Sequence, residues 1–356
     1  MSAAPAPLRV VQLATGGVGR AAIGATARHP DLELVGCWVH SADKVGVDAG
    51  ELAGMGPLGV ASTDDLDEII ALGADCAVYA PVLPDPSVVA RLLAAGTNVV
   101  TPLGWFYPDD TATGTLAEAC ASGGSTLHGT GIHPGGVTEK LPLVLSALSG
   151  EVTHVRAEEW SDIRTYDAPD VVGGIMLFGA TPDEAAASIM PAVLGAGFSQ
   201  SIRMVADALG FALDPEIRSR HEVAVATAPI DSPIGPITPG LVAAQSFTWE
   251  GTVRGTTVIE VRTNWFMGES DLEPAWGFGP DGERFEVEVQ GDPGVKATFS
   301  GWHPPSIAEG LRRNPGIVAT ATHCVNSIPA VVAAPVGIRT YLDLPLVAGR
   351  AASHLR

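Results

Sequence analysis

A short glycine-rich segment near the start of this chain has the residue types of a nucleotide-binding turn. Residues 14–20 read Ala-Thr-Gly-Gly-Val-Gly-Arg, after the apolar run 8–14 and before a helical pattern. Against the G-x-G-x-x-G fingerprint, Ala14, Gly16 and Gly19 supply small residues, which permit a tight turn, close approach to a pyrophosphate and close packing of helix on strand. A purely structural turn is the alternative, but this context favours a dinucleotide site. Its predicted contacts are Thr15, Gly16, Gly17, Val18 and Gly19.

The end of the second predicted strand indicates which dinucleotide binds. An Asp or Glu at this point pairs with the ribose hydroxyls of NAD, but here the strand runs into His40 and Ser41, with Lys44 close behind. These three could surround a 2′-phosphate, while Asp43 could still reach the ribose. The sequence therefore favours NADP, with NAD as the alternative. Further cofactor contacts are predicted at Ala80, Pro81, Thr101 and Asn326, the last of which could instead be an internal helix cap.

A second group of polar residues could carry out proton transfer. Reduction of a carbonyl or imine needs a hydride donor and a proton donor within hydrogen-bond reach of the heteroatom. His133 follows the strand-like segment 125–132 and has an ordinary pKa near neutrality, although it could merely bind backbone where two domains meet. Asp162 and Tyr166 could relay a proton and Arg164 could hold an anionic group; the alternative is a solvated strand end.

Aromatic and charged residues elsewhere in the sequence are weaker indicators of function. Trp105 and Tyr107, with Phe106 between them, could form the wall of a hydrophobic substrate pocket or simply cap the domain core. Glu139 and Lys140 lie near an expected helix start, where a surface position is predicted. No Cys/His spacing typical of a metal site occurs in the sequence, and neither GxxxxGK[ST] nor GxSxG is present.

The elements that position these residues change character after Gly136. Up to that point, short β-branched runs alternate with helical patterns, which is typical of an α/β protein with a doubly wound parallel sheet. Beyond it, long alternating segments predict an α+β domain built on a mostly antiparallel sheet. Two helices are expected there, started by Thr181 with Pro182 and by Ser199, and residues 314–332 predict a final helix rich in small residues.

Composition limits the partners. The 20 Lys and Arg residues against 40 Asp and Glu give a net charge of −20, which repels nucleic acids and anionic membranes. No signal peptide and no uninterrupted apolar stretch of about 18 residues is found. The four cysteines are far apart and read as buried free thiols. We therefore expect a cytoplasmic protein that binds a small molecule, with no nucleic acid, membrane or metal.

Several stretches together resemble a known family, the dihydrodipicolinate-reductase-like superfamily, and within it the branch of 2,4-diaminopentanoate dehydrogenase and the native amine dehydrogenases. The resemblance implies a Rossmann domain at 1–135 completed by 316–356, a substrate and dimerisation domain at 136–315, and NAD(P) bound in the cleft. It further implies redox chemistry at a C=O, C=N or C–NH2 group, and a homodimer. The stretches that carry it are 14–23, 41–52, 96–102, 129–136 and 319–345.

The chain departs from that family at two catalytic positions. The reductase signature His-His-x-x-x-Lys-x-Asp-Ala-Pro is matched only at residues 167–169, with Ser161 and Asp162 in the His places and Thr165 in the Lys place. Amine dehydrogenases of the family carry a Glu just after the strand equivalent to 99–101, but here no carboxylate follows before Asp109. We expect an oxidoreductase acting on a small, fairly apolar substrate; the alternatives are a catalytically degraded NADP-binding or sensor protein and, less favoured, a dihydrodipicolinate reductase.

Overall fold

The computed structural model describes residues 6–355, and at 110–112 it describes the backbone alone. The chain forms two compact units. One contains the residues up to Gly131 together with those from Ile317 onward, and the other is Ile132–Gly316. The limits expected from the sequence are residues 135 and 316.

The first part of the chain alternates strands with helices. Its elements are β1 (Leu8–Leu13), α1 (Gly17–Arg28), β2 (Leu32–Trp38), α2 (Ala49–Leu52), β3 (Ser62–Thr63), α3 (Leu66–Ala71), β4 (Cys76–Tyr79), α4 (Pro86–Ala94), β5 (Asn98–Thr101), α5 (Asp110–Gly123) and β6 (Thr126–Gly129).

The rest of the chain is dominated by longer strands. Its elements are α6 (Leu141–Ser146), β7 (His154–Asp162), α7 (Pro169–Gly174), α8 (Pro182–Ala186), α9 (Met190–Leu209), β8 (Arg218–Ala226), β9 (Val242–Val253), β10 (Thr256–Phe266), β11 (Leu272–Glu273), β12 (Arg284–Gln290), β13 (Val295–Phe299), α10 (Ile307–Arg312), α11 (Pro315–Val332) and β14 (Gly337–Ile338).

The first unit contains a parallel sheet covered on both faces. Within the described residues the strand order is β14, β6, β5, β4, β1, β2, β3, with every pairing parallel. On one face, α4 and α5 pack through residues such as Leu92 and Leu116; on the other, α1 and α11 pack through Ala22 and Val325. Strands buried on both faces need continuous apolar runs, which is the pattern that the sequence shows. The predicted doubly wound α/β sheet is confirmed.

The second unit contains a mixed, mostly antiparallel sheet. Its strand order is β11, β8, β9, β10, β7, β12, β13 in the part of the chain that the structure describes, and β10 with β7 forms its parallel pair. Alternate residues of β7 therefore face opposite sides of the sheet. This confirms the predicted α+β arrangement and places Glu158 and Glu159 on opposite faces.

The helices of this unit differ in one respect from the prediction. Thr181 caps α8 as expected, and Glu184 completes a capping box. The helix predicted to begin at Ser199 is wrong, because α9 runs without interruption from Met190. Pro191 lies in its first turn, where a missing N–H costs nothing, and Phe198 and Ile202 continue one buried apolar side.

One helical segment meets the length and composition of a membrane span. Pro182–Leu209 is apolar enough to cross a membrane, and 33% of its most apolar stretch is buried inside the fold. Phe198, Ile202 and Val205 on this segment are at most 1% exposed. The apolar side of α9 is therefore accounted for by packing in the core of the second unit.

Candidate active site

The glycine-rich turn joins β1 to α1 through a strained residue. Ala14 occupies the first position of the fingerprint with φ of 71°, a left-handed conformation that glycine adopts more easily. The amide Nε2 of Gln12 donates hydrogen bonds to the carbonyl oxygens of Leu13 and Ala14, both at 3.0 Å. Gln12 is 1% exposed, so this side chain fixes the turn from inside the fold. Its role was missed in the sequence, where the signal is one polar residue in an apolar strand.

The two fingerprint glycines serve different purposes. A Cβ at Gly19 would lie 2.0 Å from the carbonyl oxygen of Ala14, so α1 packs against the turn only because this residue is glycine. A Cβ at Gly16 would meet no atom of the described residues within 4 Å. The start of α1 has no side-chain cap and no acidic residue in its first turn. Exposed backbone N–H groups and the positive end of the helix dipole suit a pyrophosphate, so this turn fits a dinucleotide.

A lysine lies beside this turn. Lys44 Nζ is 3.3 Å from Thr15 Oγ1 and donates a hydrogen bond to it. His40 and Ser41, which directly follow the end of β2, are exposed, as is Asp43. The structure therefore brings the predicted Lys44 to the predicted Thr15, with two further polar side chains exposed at the end of the adjacent strand.

The predicted cofactor contacts at the ends of β4 and β5 have different surroundings. The Ala80 N–H donates to the carbonyl oxygen of Leu13 at 3.1 Å, which holds Ala80 and the following Pro81 beside the glycine turn. Thr101 is 0% exposed, and its Oγ1 accepts a hydrogen bond from the Leu103 N–H at 3.2 Å. The Thr101 side chain therefore shapes the end of β5 and presents no surface to a ligand, contrary to its predicted role as a contact.

The structure also separates Asn326 from the glycine turn. The residue of α11 that approaches the turn is Ile317, whose side chain would contact a Cβ at Gly17 at 3.6 Å. Asn326 lies nine residues further along α11, which is about 13 Å along a helix axis. Its amide nitrogen instead lies near Gly349. The predicted cofactor contact at Asn326 is therefore not brought to the phosphate-binding end of the sheet.

Trp105 and Tyr107 lie in the irregular segment after β5. Trp105 has φ of 57° and packs against the apolar core between the sheet and α4 and α5. Phe106 is 2% exposed, whereas Tyr107 is half-buried. Of the two predicted roles, the structure shows core packing for Trp105 and Phe106. Tyr107 stays a predicted substrate contact.

In the second unit, the imidazole of His133 is buried among aromatic rings. Nε2 shares a hydrogen bond of 3.0 Å with Thr263 Oγ1, and the ring lies 4.8 Å from that of Phe198 between centroids. Burial lowers the pKa of His133 from 6.5 to about 3. The expected titration near neutrality is therefore wrong, because transferring a cationic ring to this apolar site is costly. A neutral His133 can accept or share a proton but is not a reservoir of one at neutral pH.

The predicted polar cluster after β7 is paired within itself. Arg164 Nε donates to both carboxylate oxygens of Asp162 at 2.9 and 3.0 Å, and Nη2 donates to Oδ2 at 2.5 Å. These bonds raise the pKa of Arg164. The predicted anion holder and the predicted proton relay thus neutralise each other. Burial also raises the pKa of Tyr166, which keeps its phenol protonated.

A carboxylate that the sequence analysis did not single out lies nearby. Glu159 Oε1 accepts hydrogen bonds from Ser161 Oγ at 2.7 Å and from Trp265 Nε1 at 3.2 Å, and Oε2 is 3.8 Å from His133 Nε2. Burial raises the pKa of Glu159 to about 7. The available signal was its position in β7, on the face shared with Val155, Ala157 and Ser161, where an acid is unusual.

Glu139 contradicts its predicted surface position. It is 0% exposed in a π-helical turn at Gly136–Lys140, and its Oε1 accepts a hydrogen bond of 2.5 Å from Ser201 Oγ. Burial raises the pKa of Glu139 to about 8. Lys140 is half-buried, and burial lowers its pKa. The short connection from β6 carries Glu139 under α9, which the helix-start pattern did not reveal.

Two further groups of side chains are the cysteines and the possible metal ligands of the described residues. The four cysteines are buried, as predicted, and unpaired. Among the residues that the structure describes, no group of three or more His, Cys, Asp or Glu side chains could hold a metal ion.

The parallel sheet with its glycine turn defines the class, an NAD(P)-dependent oxidoreductase with a Rossmann domain. Residues 10–83 match the family model of the dihydrodipicolinate reductase N-terminus, and residues 137–354 match that of the 2,4-diaminopentanoate dehydrogenase C-terminal domain. The chain belongs to the family of 2,4-diaminopentanoate dehydrogenase and amine dehydrogenases. The resemblance predicted from the sequence is confirmed.

Relatives match along most of the chain. It is 33% identical over 346 residues to an amine dehydrogenase of Streptomyces virginiae, which covers 93% of this chain and 94% of that protein. It is 28% identical over 227 residues to 2,4-diaminopentanoate dehydrogenase of Acetoanaerobium sticklandii, covering 63% of this chain and 58% of that protein. The solved structure of amine dehydrogenase from Mycobacterium smegmatis superposes with a TM-score of 0.73 at 25% identity, covering 96% and 97% of the two chains.

Proposed function

We propose that this protein is an NADP-preferring amine dehydrogenase that interconverts a primary amine with the corresponding carbonyl compound and ammonia. The observation that carries the proposal is the similarity to an amine dehydrogenase along 93% of the chain, through both units. A glycine turn that fits a dinucleotide and a carboxyl group with a pKa of about 7 in the second unit support it. The substrate is small and fairly apolar, in keeping with the aromatic surroundings of Glu159 and His133.

The residues of the chain divide the work between binding and proton transfer. The bound dinucleotide supplies the hydride acceptor for amine oxidation and the hydride donor for the reverse direction. Gly16, Gly17 and the start of α1 bind its pyrophosphate. Lys44 binds the 2′-phosphate together with His40 and Ser41. In the second unit, carboxyl and imidazole groups hold the proton of the reacting nitrogen, and Tyr107 remains a predicted pocket wall.

A panel of small primary amines tests the function directly. With purified protein and NADP+, we expect the reduced cofactor to form in the presence of aliphatic or arylaliphatic amines and to be consumed with the matching ketone or aldehyde plus ammonium. Binding of NADPH without turnover of any amine, ketone or imine would favour the alternative, a cofactor-binding or sensor protein. Absence of any NADPH or NADH binding would overturn both functions.

Replacing Lys44 tests the cofactor preference. We expect Lys44→Ala to raise the KM for NADP+ by about tenfold or more, because a charge-assisted contact to the 2′-phosphate is lost, and to leave the KM for NAD+ nearly unchanged. Lys296→Ala is the matched control, since it removes the same charge from an exposed site in the second unit. An equal change for both cofactors would show that Lys44 does not read the 2′-phosphate.

Assembly and location are part of the same proposal. We propose a homodimer in the cytoplasm that binds a small-molecule substrate and neither nucleic acid nor membrane. Four unpaired, buried cysteines suit a reducing compartment, and a net charge of −20 opposes polyanionic partners. Light scattering of the purified protein measures the molar mass: that of one 36.5 kDa chain would overturn the dimer.

A further inference from the structure

The carboxyl group of Glu159 has one occupied oxygen and one open oxygen. Both of its hydrogen-bond donors, Ser161 Oγ and Trp265 Nε1, bond to Oε1. Among the side chains and backbone groups that the structure describes, none donates a hydrogen bond to Oε2, and its neighbour His133 Nε2 is at 3.8 Å, beyond hydrogen-bond range. The side chain keeps 13% of its surface exposed. Glu159 is therefore held in a fixed orientation with one oxygen left for a ligand.

The surroundings of Glu159 favour proton exchange over a structural ion pair. His133 is neutral because burial lowers its pKa, so it does not neutralise the carboxylate. Across the strands, Glu159 pairs in register with Thr263 on β10 and Phe285 on β12. The arginines of this sheet, such as Arg156, bond to acids on the opposite face. Burying an acid that has no arginine or lysine partner costs free energy, so a role for Glu159 outside folding is favoured.

The chemistry of the proposed reaction requires such a group. A primary amine is protonated at neutral pH, and the nitrogen lone pair must be freed before hydride can leave the adjacent carbon. In the sequence, the position where amine dehydrogenases of this family carry a Glu has none, and the first carboxylate beyond β5 is Asp109, which is exposed. Glu159 is a half-buried acid elsewhere in the chain with an oxygen open to a ligand.

We propose that Glu159 is the catalytic acid and base of this protein, exchanging a proton with the substrate nitrogen through Oε2 while Ser161 and Trp265 hold Oε1. This inference rests on the proposed amine dehydrogenase function and assigns its proton-transfer residue. Ser161 and Trp265 are positioning residues, because they act on the substrate only through Glu159.

In amine oxidation, Glu159 accepts one proton first and returns it later. Ionised Glu159 removes one proton from the substrate ammonium group and frees the nitrogen lone pair. The C–H bond then breaks, hydride passes to the oxidised nicotinamide, and the lone pair forms the C=N bond. Water adds to that carbon and releases one proton to solvent. Glu159 returns its proton to nitrogen as the C–N bond breaks, and the hydroxyl proton leaves with the nitrogen, so that carbonyl compound and ammonium are formed.

The ionisation of Glu159 also predicts how kcat/KM for amine oxidation depends on pH. The titratable groups that face Glu159 are His133, which is neutral, His303 in the segment after β13, which lowers its pKa, and Glu283 before β12, which raises it. Burial is the largest effect and raises the pKa of Glu159 to about 7. Because the ionised form takes the proton, kcat/KM for amine oxidation should rise with pH through about 7.

Glu159→Gln tests the assignment in the full-length protein. The amide keeps the shape of the side chain and its oxygen can still accept from Ser161 and Trp265. We expect kcat/KM for amine oxidation to fall by about a hundredfold or more, with the rise through pH 7 lost and NADPH affinity unchanged. Glu288→Gln is the control, since Glu288 lies on the opposite face of the same sheet and pairs with Arg156. Retention of both the wild-type rate and the rise with pH in Glu159→Gln would overturn the proposal.

Two further variants keep the carboxyl group of Glu159, and each removes one of its hydrogen-bond donors. Ser161→Ala and Trp265→Phe each remove one hydrogen bond that lowers the pKa of Glu159. The rise of kcat/KM should therefore move upward by about one pH unit in each variant, a shift that loss of packing does not produce. An unmoved profile in both would overturn the assignment. A wild-type protein that oxidises no amine would overturn the proposed function itself, whereas an active Glu159→Gln variant would overturn this step alone.

Discussion

Glu139→Gln is expected to make the protein more stable than wild type in alkaline solution. The wild-type carboxyl is 0% exposed, its Oε1 is bonded to Ser201, and its Oε2 is buried with no hydrogen-bond partner among the described residues. Ionising it in place would leave a buried negative charge without a cation. Glutamine has nearly the same shape and stays neutral at every pH.

Proton linkage determines how the free energy of unfolding changes with pH. Burial raises the pKa of Glu139 from 4.5 in the unfolded chain to about 8 in the folded one. Its contribution is fully present below pH 4.5, where both states are protonated, and is lost as pH rises toward 8, because the unfolded chain ionises first. Over this window the free energy of unfolding of wild type, relative to Glu139→Gln, falls by about 5 kcal/mol. At pH 5 the variant is equal or slightly less stable, since its amide N–H group lacks an acceptor.

Urea unfolding at several pH values between 5 and 9 measures this difference. Tryptophan fluorescence is a suitable probe, because five of the seven tryptophans lie in the second unit with Glu139. Glu288→Gln is the control with the opposite sign, since hydrogen bonds from Arg156 lower the pKa of Glu288 and its ionised form is the stabilising one. A constant difference between wild type and Glu139→Gln from pH 5 to 9 would show that Glu139 ionises freely in the folded protein.

The fold was largely predictable because its signals are local. Each apolar β-branched run is a short continuous segment, and the helix start at Thr181-Pro182 is likewise set by neighbouring residues. The glycine turn is equally local, since residues 14–20 form it alone, whereas the contact of Lys44 with Thr15 joins residues 29 positions apart. Where a helix boundary was wrong, at Ser199, the reason was also local: a serine mimicked a cap inside a continuous helix.

The surroundings of Glu159 and His133 were not predictable in the same way, since they depend on packing between distant segments. His133 is separated from Thr263 by 130 positions in sequence and Glu159 from Trp265 by 106. Burial by these partners sets the ionisation of the acid and the imidazole, and sequence patterns carry no information about it. For this reason His133 was expected to titrate near neutrality and Glu139 to be at the surface.

Two alanine substitutions in the glycine turn should separate stability from cofactor binding. Gly19→Ala is expected to lower the free energy of unfolding by about 2 kcal/mol or more, because the new Cβ would lie 2.0 Å from the backbone oxygen of Ala14. The turn cannot give way, since Gln12 holds that same oxygen from inside. Displacing α1 from β1 also moves the helix start from the pyrophosphate, so NADPH binding should be lost as well.

Gly16→Ala should weaken cofactor binding and leave stability unchanged. Gly16 has φ of −71°, which alanine adopts without strain, and its Cβ would meet no described atom within 4 Å. We therefore expect the melting temperature of the free protein to be unchanged. The added methyl group fills the space that the pyrophosphate needs, so the Kd for NADPH should rise by about tenfold or more.

Fluorescence titration with NADPH, together with a melting curve, measures both effects. Unchanged NADPH affinity in Gly16→Ala would show that the phosphate does not bind at this turn. Loss of affinity together with loss of stability would make the effect one of folding, whereas loss of affinity alone assigns the space beside Gly16 to the dinucleotide.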